Sequence, residues 1–126
     1  MNMSGKKSRN KGHRAEIEWV HIFRDLGYSD ARSSREESNF LDGLGIDIVN
    51  VPINVQVKAG SQRGLNYSEE LRQIREKILQ KAPKLSDNIL ILAHRKDGTP
   101  GKKRSPEQDL VIMSRHDFIN LFKKAF

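Results

Sequence analysis

Gly45-Ile46-Asp47-Ile48-Val49-Asn50-Val51-Pro52-Ile53-Asn54-Val55-Gln56-Val57-Lys58 is the stretch on which the reading of this chain turns. Residues 53–58 alternate apolar and polar without a break, the period of a strand with one face against a core. Ile53, Val55 and Val57 fall on one face, and Asn54, Gln56 and Lys58 on the other. Ile46 to Val49 reads as a preceding strand, and Asn50-Val51-Pro52 supplies turn chemistry, so a β-hairpin is predicted. A turn about the Val51-Pro52 junction places Asp47 opposite Gln56, with Cβ atoms about 5 Å apart. A slip of one residue would send the two to opposite faces. In the expected register a carboxylate, an amide oxygen and the Lys58 ammonium share one patch. An ordinary exposed hairpin with a cross-strand polar pair looks the same, so these three residues alone do not decide a function.

The flanks supply the rest of an α/β fold. From about His13 to Leu26 the apolar residues recur at helical spacing, as Ile17, Val20, Phe23 and as Trp19, Ile22, Leu26, and Gly27 is a suitable stop. Tyr28 to Arg32 reads as a short strand and 33–39 as a polar loop. Downstream of the hairpin, 59–66 is a glycine-containing loop. Ser68 to Lys81 is predicted helical, with Leu71, Ile74 and Ile78/Leu79 on one face and Pro83 beyond its end. Asn88 to Ala93 is nearly all apolar, as in a buried central strand. Arg95 to Pro106 is a basic Gly/Pro loop, and Leu110 to Met113 is another strand. Ser114 suits the N-cap of a last helix containing Phe118, Ile119, Leu121 and Phe122. The order predicts a central mixed β-sheet flanked by helices. Residues 1–11 read as a flexible basic arm and 12–126 as one domain.

Composition narrows the function classes. A chain of 126 residues, 36% hydrophobic and 31% charged, suits one modest globular core. With no cysteine, disulfides, cysteine nucleophiles and Cys-based zinc sites are excluded. No apolar run approaches the roughly 20 residues of a membrane span, and no apolar segment follows the basic N-terminus. A cytoplasmic protein is therefore the expectation. The net charge of +7 is gathered into Lys6, Lys7, Arg9, Lys11 and Arg14, and into His94, Arg95, Lys96, Lys102, Lys103 and Arg104. Such clusters meet phosphate backbones, though they also serve as solubilising surface.

A hard cation such as Mg²⁺ takes a carboxylate and further oxygens and keeps several waters. Asp47, the Gln56 side-chain oxygen and the Val57 backbone carbonyl can supply such a set. Lys58 can then position or deprotonate a water, or offset charge on a phosphate. The first helix adds Glu16, which shares a face with Trp19, Val20 and Phe23; a carboxylate there needs a partner or a metal. Glu18 lies instead with His21, Ile22 and Asp25 on a more polar face. Asp42, in a predicted loop, is the rival of Asp47 as metal-bound acid. His13, His21, His94 and His116 show no metal-ligand spacing and read as phosphate contacts or surface residues.

Four segments carry a resemblance in order: Lys11-Gly12-His13-Arg14-Ala15-Glu16-Ile17-Glu18, then Gly27-Tyr28 with Ala31-Arg32-Ser33-Ser34, then Gly45-Ile46-Asp47-Ile48-Val49, then Val55-Gln56-Val57-Lys58. Together they resemble the PD-(D/E)xK nuclease superfamily, and within it the archaeal-type Holliday junction resolvases and their phage relatives. The resemblance covers residues 11–60. It implies a restriction-endonuclease-like core and a homodimer that nicks four-way DNA junctions symmetrically, leaving 5′-phosphates. It implies Mg²⁺, with Mn²⁺ able to substitute, held by Glu16, Asp47, Gln56 and Val57, with Lys58 as catalytic lysine. Arg32 and Arg35 would contact phosphate near the scissile bond, assisted by Ser33 or Ser34. Lys11, Arg14, Arg63, Arg95, Lys102, Lys103 and Arg104 would grip the DNA arms. Ile46 stands where the superfamily often has proline, and Gln56 replaces the usual acid. The alternatives are a duplex endonuclease of restriction or nicking type, a DNA-binding relative whose site has decayed, and a basic structural protein of a nucleoprotein complex.

Overall fold

The computed structural model describes residues 3–60, 65–96 and 105–126, with side chains from Gly12 onward. Helix α1 spans Met3–Asp25, so it begins ahead of His13 and runs through the stretch expected to be an arm. Lys and Arg are good helix formers, and extending a helix that is already packed avoids the nucleation cost. Gly27 ends it as expected: with φ of 109°, it lets its own N–H reach Arg24 O and the Tyr28 N–H reach Phe23 O, both at 3.0 Å.

The next elements depart from the expected hairpin. Strand β1 is only Arg32–Ser33, followed by two short helices, α2 (Ser34–Glu37) and α3 (Asn39–Gly43), where a loop was predicted. Their N-caps explain the difference, since the Ser33 and Ser38 side chains accept from Arg35 N and Leu41 N respectively. Strand β2 (Ile48–Val49) pairs antiparallel with β1, Arg32 to Val49 and Ser33 to Ile48. Among the described residues no strand ladder joins β2 to β3 (Asn54–Ala59).

The main sheet has the order β3-β4-β5, with β4 (Leu90–Arg95) parallel to β3 and antiparallel to β5 (Leu110–Ile112). Helix α4 (Tyr67–Lys81) makes the crossover between the parallel strands. Both faces are covered by helices, which is why β4 is buried from Leu90 to His94. On one face, Ala15, Val20 and Phe23 of α1 join Val55, Val57, Ile91 and Ala93. On the other, Leu71, Ile74 and Ile78 of α4 join Leu44, Ile46, Leu90 and Leu92. Each fully buried Leu or Ile is worth about 1.5–3 kcal/mol. The alternation predicted for 53–58 therefore holds, with Val55 and Val57 toward α1, and Gln56 and Lys58 toward α4.

Helix α5 (Arg115–Ala125) is capped by Ser114, whose side chain accepts from Asp117 N. Its inward residue is Asp117, which accepts from Arg75 at 2.6 Å and from Leu90 N at 3.2 Å. Its apolar residues turn outward: Phe118, Phe122 and Phe126 are exposed and stack at centroid distances of 5.3 and 4.8 Å. Among the described residues no helix is long and apolar enough to cross a membrane.

Candidate functional site

Glu16 sits on the buried face of α1 beside Ala15, only 3% exposed. A carboxylate removed from water needs compensation, and the β1–α2 junction supplies it. Ser33 Oγ donates to Glu16 Oε2 at 3.2 Å, and Arg35 Nη2 lies 3.0 Å from Oε1. The same Ser33 hydroxyl accepts the Arg35 N–H at 3.3 Å, so one serine caps α2 and anchors the acid. Burial still holds the Glu16 carboxyl above the usual carboxylate range, against the opposing pull of Arg35 and Ser33.

Asp47 is pinned from three sides. Its N–H donates to Val55 O at 2.7 Å, its carbonyl accepts from Ser34 N at 2.8 Å, and its Oδ2 accepts from Val57 N at 2.8 Å. The backbone bond sets Asp47 beside Val55, one residue from the Gln56 partner expected. The cause is the turn: Asn50 adopts a left-handed φ of 65° and its side chain donates to Asp30 O at 2.9 Å, so the chain bends before Val51-Pro52. Burial pushes the Asp47 carboxyl up to about 7; the Val57 N–H holds it down, the negative charges of Glu16 and Asp42 add to the rise, and Arg35 opposes it. Glu16, Asp42, Asp47 and Arg35 thus share one electrostatic neighbourhood at the free edge of β3. Within a strand the N–H and C=O of one residue leave on the same side, so the Val57 carbonyl is also directed to this edge.

Gln56 and Lys58 approach from the α4 side instead of sharing a strand face with Asp47. The Gln56 amide lies against Gly45, where an added Cβ would come 3.3 Å from Gln56 Nε2 and 3.1 Å from Ile74 Cγ1. Gly45 has φ of 89°, a conformation and a clearance that require glycine. This close approach brings Gln56 onto the segment that carries Asp47. Gln56 Oε1 is buried and accepts no hydrogen bond, an arrangement that costs about 1–3 kcal/mol unless another donor or a cation meets it. Lys58 Nζ lies 3.5 Å from Glu70 Oε2 of α4. Glu70 had no signal in the sequence, because the pair joins two elements across an intervening loop.

The expected DNA-facing residues divide. Arg32 is about half exposed and lies 3.4 Å from Glu37, and the Arg35 head is 42% exposed. Arg14 is exposed on α1. Ser33 and Ser34 are buried and face inward, Ser34 donating to Asp42 Oδ1 at 3.4 Å, so they position the acids where a phosphate contact was expected. Arg95 donates to Glu18 at 2.8 Å. Arg63, Lys102, Lys103, Arg104 and the Lys11 side chain lie outside the described residues. His94, expected at the surface, is 1% exposed and bridges Tyr67 Oη (2.6 Å) and Gly60 O (2.7 Å). The strand runs through His94 to Arg95, beyond the Ala93 end that the apolar run predicted, which is what draws the ring inside.

In donor chemistry the site suits a hard divalent cation. Two carboxylates that share a single arginine and one orphaned amide oxygen match an ion that takes one or two acids and keeps its waters. Among the described residues no group of three or more His, Cys, Asp or Glu side chains is placed to hold a metal. Comparisons with protein-family models, with curated proteins and with solved structures find no match to this chain.

Proposed function

We propose that this protein is a metal-dependent, structure-specific DNA endonuclease with a restriction-endonuclease-like core, and that it resolves four-way junctions as a two-fold homodimer. The observation that carries the reading is the pair of carboxylates, Glu16 and Asp47, close enough at the outer edge of β3 for the charge of Glu16 to be felt at Asp47, with the buried, unpartnered Gln56 Oε1 on the same strand. Glu16 is buried and Asp47 largely so, they share one arginine, and the Gln56 Oε1 on the neighbouring strand has no donor; a bound cation would answer all three. A bound divalent ion supplies Lewis-acid polarisation of the phosphodiester and a more acidic water.

The chain's own residues do the rest. Ser33 and the Val57 N–H fix the two carboxylates, so little reorganisation is left for the moment of reaction. Gln56 contributes a neutral oxygen, and Lys58 brings positive charge and a transferable proton to the same strand. Arg32 and Arg35, both partly exposed, would grip the phosphates that flank the cut, so binding should fall steeply with salt. Symmetric nicking requires two copies of the site, and the outward Phe118–Phe122–Phe126 ridge offers a surface for the pairing. A second reading, a DNA-binding relative that does not cut, is favoured by the neutral Gln56 at an acid position.

One assay separates these readings: four-way junction, linear duplex and single strand, each with Mg²⁺ or EDTA. Symmetric nicks confined to the junction, and abolished by EDTA, are the expected result. Equal cutting of linear duplex would remove the resolvase but keep the nuclease. Tight binding without cutting under any metal would select the second reading.

The substitution Gln56→Glu sharpens the assignment. A third carboxylate should tighten Mg²⁺ binding about tenfold or more, since ligand charge tunes the affinity of oxygen-donor cation sites. It should also lower the melting temperature in EDTA, because three like charges then crowd one edge. The checks are the Mg²⁺ concentration for half-maximal cleavage and a thermal melt. An unchanged Mg²⁺ requirement would take Gln56 out of the site.

A further inference from the structure

The Arg35 guanidinium occupies a place that the proposed function gives to a metal ion. Its Nη2 lies 3.0 Å from Glu16 Oε1, on an acid whose side chain is only 4% exposed. Its charge is also felt, more weakly, at Asp47, where it is the smallest of the influences on that carboxyl. The Arg35 side chain itself is 42% exposed, so the buried acids are answered by a group that reaches in from the mouth of the site. It is carried on α2, a helix of only four residues, whose cap Ser33 donates to the other oxygen of Glu16. Both oxygens of Glu16 are therefore engaged by one short segment. A buried acid left without a counter-charge is strongly unfavourable, and a guanidinium and an inner-sphere divalent ion on the same oxygen repel each other at close range, so each weakens the hold of the other.

We infer that Arg35 is an exchangeable counter-cation: it neutralises Glu16 while the site lacks a divalent ion, competes with that ion for Glu16, and is released toward substrate phosphate when the ion enters. The inference rests on the metal-site reading above. It adds a regulatory consequence, because what displaces Arg35 from Glu16 also frees it for the nucleic acid. Metal and DNA then favour each other's binding, as any two ligands that select the same arrangement must. The half-exposed head needs only to turn at the surface, whereas Ser33 stays and keeps Glu16 oriented. Arg35 acts here as a positioning and charge-balancing residue.

The test uses the full chain without DNA and Mn²⁺ as the probe, by calorimetry, on wild type, Arg35→Gln and Arg35→Lys. Arg35→Gln should bind Mn²⁺ about tenfold more tightly than wild type, within the range typical of coupled sites. It should melt lower than wild type in EDTA and recover more on adding Mn²⁺. Arg35→Lys, which keeps the charge, should stay within about threefold of wild type. Equal or weaker Mn²⁺ binding by Arg35→Gln overturns the counter-cation while leaving the metal site standing. Absence of Mn²⁺ binding in wild type and variant alike overturns the metal-site reading and this inference with it. A measurement on wild type does not depend on a variant folding: a Mg²⁺ titration followed by NMR at the arginine Nε–H groups. Saturating Mg²⁺ should carry the Arg35 resonance to the position of solvent-exposed arginine, and a resonance that stays put with Mg²⁺ bound overturns the exchange.

Discussion

Asp47→Asn should abolish cleavage and, in EDTA at pH 8, make the protein harder to unfold. The first effect follows from the loss of a charged oxygen donor at the centre of the site, with an expected fall of about a thousandfold or more. The second follows from burial. The Asp47 carboxyl is raised from its ordinary 3.8 to about 7, so the folded protein holds this proton where the unfolded chain has released it. Stability then falls as pH rises between about 4 and 7, and above 7 the full penalty is present. A rise of this size corresponds to about 2–4 kcal/mol once solvent access at the strand edge is allowed for. Glu16, whose carboxyl is also raised chiefly by burial, contributes in the same direction.

Asparagine keeps an oxygen to accept the Val57 N–H and carries no charge to desolvate, so the substitution removes the penalty while the Val57 N–H keeps its acceptor. Urea unfolding of both proteins in EDTA at pH 5 and pH 8 checks the stability half, and junction cleavage checks the other. Wild type should weaken between the two pH values, and the variant should do so less. Saturating Mn²⁺ should reverse the order at pH 8, because the charged carboxylate gains more from the ion than a neutral amide oxygen does. A variant that loses stability at pH 8, or still cuts at more than a few per cent of the wild-type rate, would separate Asp47 from the chemistry.

The parts of this site that the sequence disclosed are those governed by short-range periodicity. Residues 53–58 alternate in a way only a strand with two different faces explains, and the faces are as read. Glu16 interrupts an apolar helical stripe, and it is buried. Gly27 and Ser114 end and begin helices because their backbone and side-chain chemistry is local. What was hidden depended on a single residue's conformation or on distant partners. Asn50 in a left-handed conformation moves the turn and shifts Asp47 from Gln56 to Val55, which no pattern of apolar residues encodes. The short helices at 34–37 and 39–43 lack any apolar period and owe their existence to the caps Ser33 and Ser38. The Lys58–Glu70 pair and the Tyr67–His94–Gly60 bridge join elements brought together by the β3-α4-β4 crossover, so neither partner announces the other. Ser33 and Ser34, expected at the surface, are buried, because a polar pair in an apparent loop gives no sign that it faces inward.

Lys58→Ala should lower the cleavage rate about a hundred- to ten-thousandfold, the usual range for loss of a positioned general acid or base. Unlike Asp47→Asn it should leave Mn²⁺ affinity within about threefold of wild type. The contrast follows from chemistry: an ammonium has three donors and no acceptor, so it cannot hold the ion, and its positive charge opposes the ion weakly if at all. Lys58 rests against Glu70, 3.5 Å away with both side chains about a quarter exposed. A pair that still reaches solvent is worth on the order of 1 kcal/mol, so Glu70 can hold Lys58 without confining it there. Removing that restraint by Glu70→Gln should therefore change cleavage by no more than about threefold, whereas removing Lys58 should nearly silence it. Single-turnover cleavage of a junction at saturating Mn²⁺, with Mn²⁺ binding measured separately on the same variants, distinguishes the two. If Lys58→Ala cuts at the wild-type rate, or if Glu70→Gln is the more damaging change, the strand pair at 56 and 58 serves the α4 interface and the reacting phosphate belongs to Glu16 and Asp47 alone.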